Sequence, residues 1–147
     1  RAAGKRATIA TTLADLDSAT ARLTADQAAC ARHVITENAR VLNVRALLEA
    51  GRISDVGPEL TASHASLRDD FRVTVPQLDV SVAAALSAGA FGARMTGGGF
   101  GGCTIALVRR EDIDDTAQAI TAAFAVEAFT PPEHFVARPA QGGRRDL

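Results

Sequence analysis

Apolar residues recur every three to four positions along most of this chain, and that rhythm breaks only around one cluster of glycines flanked by two short apolar runs. Leu13, Leu16, Ala19 and Leu23 predict a short amphipathic helix. Asp26 is placed to cap the next helix, which runs from Gln27 to Ala50 on a stripe of Cys30, Val34, Val41, Val44 and Leu48. Gly51 closes it, just past the end where a left-handed residue is favoured. Asp55 can cap a third helix carrying Val56, Leu60, His64 and Leu67, with Gly57 and Pro58 confined to its first turn. Phe71 to Val75 alternates and reads as an extended link. Pro76 then opens a helix with Leu78, Val82, Ala85 and Leu86 that stops near Gly89 or Gly92. Ala93 to Thr96 and Cys103 to Val108 read as strands, so the glycines between them join two strands. Asp112 to Ala128 is helical by the spacing of Ile113, Ala117, Ile120 and Phe124. Pro131-Pro132 ends that helix, and His134 to Ala137 reads as a brief strand before a polar tail. This order predicts an α+β fold, with helices packed on a small antiparallel sheet.

Composition narrows the function classes. The chain has 147 residues, 47% of them hydrophobic, which suits one domain with a sizeable core. A formal net charge of −1, no Trp, no Tyr and six Phe argue against a nucleic-acid surface, which needs basic charge and stacking platforms. No segment is long and apolar enough for a membrane span, and no secretory core follows the basic start, so a soluble, untargeted, cytoplasmic protein is expected. Cys30 and Cys103 form neither a disulfide framework nor a metal-ligand pair and read as small buried apolar residues. The first residue is Arg1 and the only methionine is Met95, so the chain reads as a piece of something longer. Residues 1–26 then form a lead-in with a short helix, 27–139 the domain, and 140–147 a tail.

The candidate chemistry centres on Arg94-Met95-Thr96-Gly97-Gly98-Gly99-Phe100-Gly101-Gly102-Cys103, five glycines around one phenylalanine. Glycine carries an entropic cost, so a cluster needs a reason: positive φ, amides aimed at an anion, or close backbone packing. Gly97, Gly99 and Gly102 satisfy G-x-G-x-x-G, yet a strand and not a helix follows, which excludes the dinucleotide-binding reading. No Lys-Ser or Lys-Thr pair follows, which excludes a P-loop. A hairpin or packing loop and a ligand-facing loop both remain open. His33, Glu37 and Arg40 share one helix face and read as a surface charge ladder, without the second histidine of a zincin helix, so no metal is expected there. Ser63-His64 with Asp69-Asp70 invites a triad reading, but triad members converge from separate elements. A helix-end network in which Arg68 pairs with Asp69, Asp70 or a partner segment is the simpler reading. Met95 and Phe100 read as core and loop anchor.

Three segments together resemble the C-terminal half of the galactokinases, a branch of the GHMP small-molecule kinase family. They are Ala31-Arg32-His33-Val34-Ile35-Thr36-Glu37-Asn38-Ala39-Arg40-Val41, Ser63 to Pro76 with Leu78-Asp79, and Gly92 to Val108, in the family's order and with similar spacing. The resemblance runs from about Thr12 to the C-terminus. It implies a ferredoxin-like C-terminal domain whose first strand precedes Arg1. It also implies that Thr96, Gly97, Gly98, Gly99, Phe100, Gly101 and Gly102 are the family's third conserved motif, a loop near the substrate and nucleotide. Arg94, Met95, Ser63, His64, Arg68 and Asp69 then act as supporting residues. The implied activity is ATP-dependent phosphorylation of galactose to galactose 1-phosphate, with ATP, Mg2+ and galactose bound by the complete two-domain enzyme. The family's Gly-Leu-Ser-Ser-Ser loop, its Gly-Glu-His opening motif, its proton-accepting aspartate and the arginine beside it have no counterpart here. Catalytic residues and any metal site are therefore expected in an N-terminal domain, and this chain alone is expected to be inactive. The same resemblance leaves open a sugar sensor that keeps the fold without turnover, or the remnant of a disrupted gene.

Overall fold

The computed structural model describes residues 12–19, 22–138 and 142; the basic start and most of the polar tail lie outside the described residues. The elements are α1 (Leu13–Ala19), α2 (Ala25–Glu49), α3 (Val56–Asp69), α4 (Pro76–Ser87), β1 (Gly92–Thr96), β2 (Cys103–Leu107) and α5 (Ile113–Val126), with short 3-10 turns at Ile53–Asp55 and Arg110–Asp112.

Local chemistry sets the ends of these elements. Thr24, and not Asp26, caps α2: its hydroxyl accepts the Gln27 N–H while the Gln27 side chain accepts the Thr24 N–H, a reciprocal capping box. Asp26 sits in the first turn, where its charge suits the helix dipole. At the other end Gly51 takes a φ of +71°. The Arg52 N–H then reaches back to the Leu47 carbonyl and the Gly51 N–H to that of Leu48, which satisfies two orphan acceptors. Asp55 precedes α3 but caps nothing with its side chain, which pairs with Arg52 instead. Pro76 opens α4, and Gly89 at φ +92° ends it.

Most of the stripe expected to bury α2 faces outward, with Val44 half-buried. Val34, Val41, Leu42 and Leu48 are exposed, Val41 by 65%, and the inward residues are Ala28 and His33. Periodicity identified a helix but chose the wrong face, because the inner side of α2 meets a polar side of α3. Both cysteines are exposed as well, contrary to the expectation of buried apolar thiols.

The core has two parts. Val82, Ala85, Ala93, Ile120 and Phe124 join α4, β1 and α5, with Phe129 edge-on to Phe124 at 5.7 Å. Leu67, Val73, Leu78 and Met95 join α3, the link after it, α4 and β1. β1 and β2 pair antiparallel from Gly92 opposite Leu107 to Thr96 opposite Cys103. β1 is the central element and Met95 is fully buried, whereas β2 is largely exposed. The expected strand over His134 to Ala137 does not form. Phe135 is 81% exposed, and His134 contacts Thr121 on α5 at 3.0 Å, so the segment follows a helix, which offers no ladder of backbone partners. Among the described residues the sheet therefore has two strands.

Helix α3 lies directly on β1. A Cβ on Gly57 would overlap the Phe91 carbonyl, and one on Gly92 would overlap the Gly57 carbonyl, so both residues are glycine because two backbones touch. At Gly98, among the described residues, no atom beyond the adjoining ones lies within 4 Å of the corresponding position, and φ is not positive. Replacing Gly92 by Ala is expected to cost about 1–3 kcal/mol through overpacking, and Gly98→Ala to leave the urea midpoint within experimental error. Equal midpoints for the two variants would refute the backbone contact.

Candidate functional site

The six residues from Gly97 to Gly102 turn the chain from β1 into β2, and five of them have positive φ, Phe100 included at +59°. Gly101, at +125°, occupies backbone space that side-chain-bearing residues rarely enter. Gly99 is glycine for a second reason: a Cβ there would overlap the Val73 carbonyl. That carbonyl also accepts the Phe100 N–H at 2.8 Å. The loop is thus held at its tip by the link between α3 and α4. Phe100, read from the sequence as a loop anchor, holds the loop through its backbone N–H, and its side chain is 75% exposed.

Behind the loop, His64 fixes β1. Its Nδ1 accepts the Met95 N–H at 3.2 Å, and its Nε2 contacts Asp79 Oδ1 at 3.1 Å. A ring nitrogen that accepts from an amide carries no proton, so the imidazole is the neutral Nε2–H tautomer, donating to Asp79. The ring is 3% exposed. Burial lowers its affinity for a proton below the ordinary histidine range, and the Asp79 carboxylate offsets that only in part. Ser63 does not contact His64 in a triad: it donates to Glu37 Oε2 on α2 at 2.7 Å.

Glu37 gathers the second half of the site. Its carboxylate accepts from Arg40 at 2.8 Å and from Arg94 on β1 at 3.4 Å, and Arg94 Nε donates to the Met95 carbonyl at 2.8 Å. Glu37, Arg40 and Arg94 are half-buried. His33, 8% exposed, contacts Ser66 Oγ at 2.9 Å, and the Ser66 hydroxyl donates to Asp70. The His33–Glu37–Arg40 face is therefore an internal polar seam between α2, α3 and β1, not a surface ladder. Arg68 and Asp69 form an exposed two-pronged pair at 2.8 and 3.0 Å, the helix-end network expected. The Asp69 carboxyl is held below the usual range by those hydrogen bonds. This pair stands apart from the seam.

The structure thus brings Arg94, Met95, Ser63 and His64 together behind the loop and leaves Arg68 and Asp69 at the surface. Glu37, Asp79 and Val73 joined the site only in three dimensions, although all three lie in distinctive segments. Among the described residues no group of three or more His, Cys, Asp or Glu is placed to hold a metal ion, and no helix is long and apolar enough to cross a membrane.

Residues 44–126 match the family model described as the C-terminal region of GHMP kinases. The chain belongs to the GHMP kinase family. It is 48% identical over 134 residues to the galactokinase of Streptomyces coelicolor, covering 90% of this chain and 35% of that protein. It is 47% identical over 136 residues to the galactokinase of Streptomyces lividans, covering 91% and 34%. Among solved structures it resembles Lactococcus lactis galactokinase complexed with galactose, with a TM-score of 0.80, 34% identity and 86% of this chain covered against 34% of that one. The L. major mevalonate kinase in complex with R-mevalonate shares the fold, with a TM-score of 0.57 at 23% identity over 84% of this chain and 36% of that one. The chain spans about a third of the length of these relatives.

In this GHMP kinase domain, burial holds both His33 and His64 below the ordinary value of 6.5. Unfolded histidines take up protons near 6.5, whereas the folded ones do so only at lower pH. The unfolded state therefore binds more protons as pH falls, and the stability present above 6.5 drains away below it. The urea midpoint is expected to fall between pH 7.5 and 5.5. His64→Ala should cost about 1–3 kcal/mol at pH 7.5 by orphaning the Met95 N–H, and should flatten that pH dependence. A wild-type midpoint that does not change over this range would show that the buried rings are not held neutral.

Proposed function

We propose that this chain is the C-terminal portion of a galactokinase, an enzyme that transfers a phosphoryl group from ATP to the anomeric hydroxyl of galactose to give galactose 1-phosphate. The observation that carries the reading is the loop Gly97–Gly102, held open on a fixed strand within a chain that resembles galactokinases over most of its length. In this reading Thr96, Gly97, Gly98, Gly99, Phe100, Gly101 and Gly102 face the substrates. Arg94, Met95, Ser63 and His64 support that wall from behind, and Arg68 and Asp69, paired with each other at the surface, act only on the end of α3. Residues 27–139 form the working domain, with 1–26 as lead-in and 140–147 as tail.

Phosphoryl transfer demands alignment of the two substrates and neutralisation of spreading charge. The loop suits the first task. Among the described residues, no atom beyond the adjoining ones lies within 4 Å of where a Cβ would stand at Gly97, Gly98 or Gly101, so a sugar or phosphate oxygen can approach the bare backbone. The second task falls elsewhere, because the guanidinium of Arg94, behind the loop, is already engaged by Glu37 and the Met95 carbonyl. Mg2+, the cations and the proton acceptor belong in this reading to an N-terminal GHMP domain, the partner that completes the cleft. ATP and galactose are met in the cytoplasm, without nucleic acid or membrane.

The test is galactose phosphorylation by the full-length gene product beside the 147-residue chain. Turnover is expected from the full-length protein alone. Gly99→Ala, which pushes the loop off Val73, should lower kcat about 100-fold, the usual consequence of an ångström-scale misplacement. A folded full-length protein that binds galactose and ATP without turnover would exclude the enzyme.

A further inference from the structure

The segment Phe71–Val73 carries the glycine loop, and α2 in turn holds that segment. The Val73 carbonyl accepts the Phe100 N–H and packs against Gly99. Two backbone bonds to α3 hold the segment, Phe71 N–H to the Ser66 carbonyl and Val73 N–H to that of Leu67, each at 3.0 Å. Two more holds come from α2: exposed Arg72 donates to Asp26 at 3.0 Å, and the Phe71 ring stacks on His33 with centroids 4.7 Å apart and planes 14° from parallel.

His33 is an unusual choice for that place. It is buried and its proton affinity is lowered by burial, so a polar ring has been taken out of water to lie against a phenylalanine that is still partly exposed. Phe71 belongs to neither apolar cluster of the core, so the stack adds little to the main packing. It does fix an orientation. The Ser66 hydroxyl donates to Asp70 Oδ2 at 3.0 Å, so Ser66 Oγ accepts from His33 Nδ1–H at 2.9 Å. Asp70 is itself held by Arg32 at 2.9 Å. This run of bonds pins the imidazole plane, and the pinned plane sets the ring of Phe71. Two residues further on, Val73 presents its carbonyl to the loop.

We propose that His33 is a positioning residue for the glycine loop, acting through Phe71 and Val73. The kinetic side of this proposal rests on the galactokinase reading; the structural side does not. It places a functional constraint on the middle of α2, on the far side of the link from the loop.

The experiment compares four forms of the full-length gene product: wild type, His33→Ala, His33→Phe, and Val82→Ala, which opens a cavity in the other apolar cluster and controls for general destabilisation. Deuterium exchange is followed in the peptide spanning Met95 to Cys103, and kcat and KM are measured with galactose. His33→Ala should speed exchange in that peptide about tenfold relative to Val82→Ala and lower kcat about tenfold with KM for galactose nearly unchanged. His33→Phe keeps a ring against Phe71 but loses the bond to Ser66 that pins its plane, and should recover part of both. Exchange and kcat in His33→Ala that match Val82→Ala would overturn the proposal, and so would a His33→Phe protein as impaired as His33→Ala. If wild type shows no turnover, the kinase reading falls and the exchange comparison alone decides the role of His33.

Discussion

Helix α3 rests on strand β1 with backbone against backbone, and the rest of the structure is arranged around that contact. Gly57 and Gly92 remove the two side chains that would hold the elements apart. Seven residues along α3 from Gly57 is a rise of roughly 10.5 Å, and three residues along β1 from Gly92 is roughly 10 Å. Helix and strand therefore advance together, and the second contact falls on His64 and Met95. The helix supplies an imidazole where the strand has a free amide. A larger residue at either glycine would lift α3 and break that bond, so the close approach and the buried histidine form one device.

The same closeness explains the polar interior. Ser63 and Ser66 sit on the side of α3 that meets α2, and buried hydroxyls need partners. Glu37 and His33 supply them, and Arg94 and Arg40 compensate the charge of Glu37. The inner face of α2 is consequently polar, while Val34, Val41, Leu42 and Leu48 remain outside. Each hydrogen bond in such a seam contributes only about 0.5–1.5 kcal/mol net, but an orphaned group costs more. The seam therefore specifies how α2 docks more than it drives the docking.

Function, in the reading proposed above, uses this frame to present a bare backbone. The loop Gly97–Gly102 leaves β1 where Met95 is pinned and returns through β2, and its tip rests on Val73. A strand fixed from behind and a loop seated at its tip leave a glycine surface that is accessible yet ordered. That suits chemistry whose main demand on this wall is alignment.

Much of the fold was legible in the sequence. Five helices, the hairpin, the stops at Gly51 and Gly89 and the glycine connection between the strands all follow from periodicity and local backbone chemistry, which act within a few residues. The wrong face of α2, the surface reading of His33, Glu37 and Arg40, the cysteines and the unformed strand at His134 to Ala137 share one cause: each depends on what lies opposite. Apolar spacing shows that a helix has a face but not which surface it meets, and a segment with strand-like residues stays single without a neighbour to exchange hydrogen bonds. The sequence by itself determined most of the elements, the glycine stops of α2 and α4 and the family to which they belong. Only the tertiary structure decided that Gly57 meets Gly92, that His64 reaches Met95 and that Val73 seats the loop, because contacts between residues dozens of positions apart arise from packing geometry, and no local pattern encodes it.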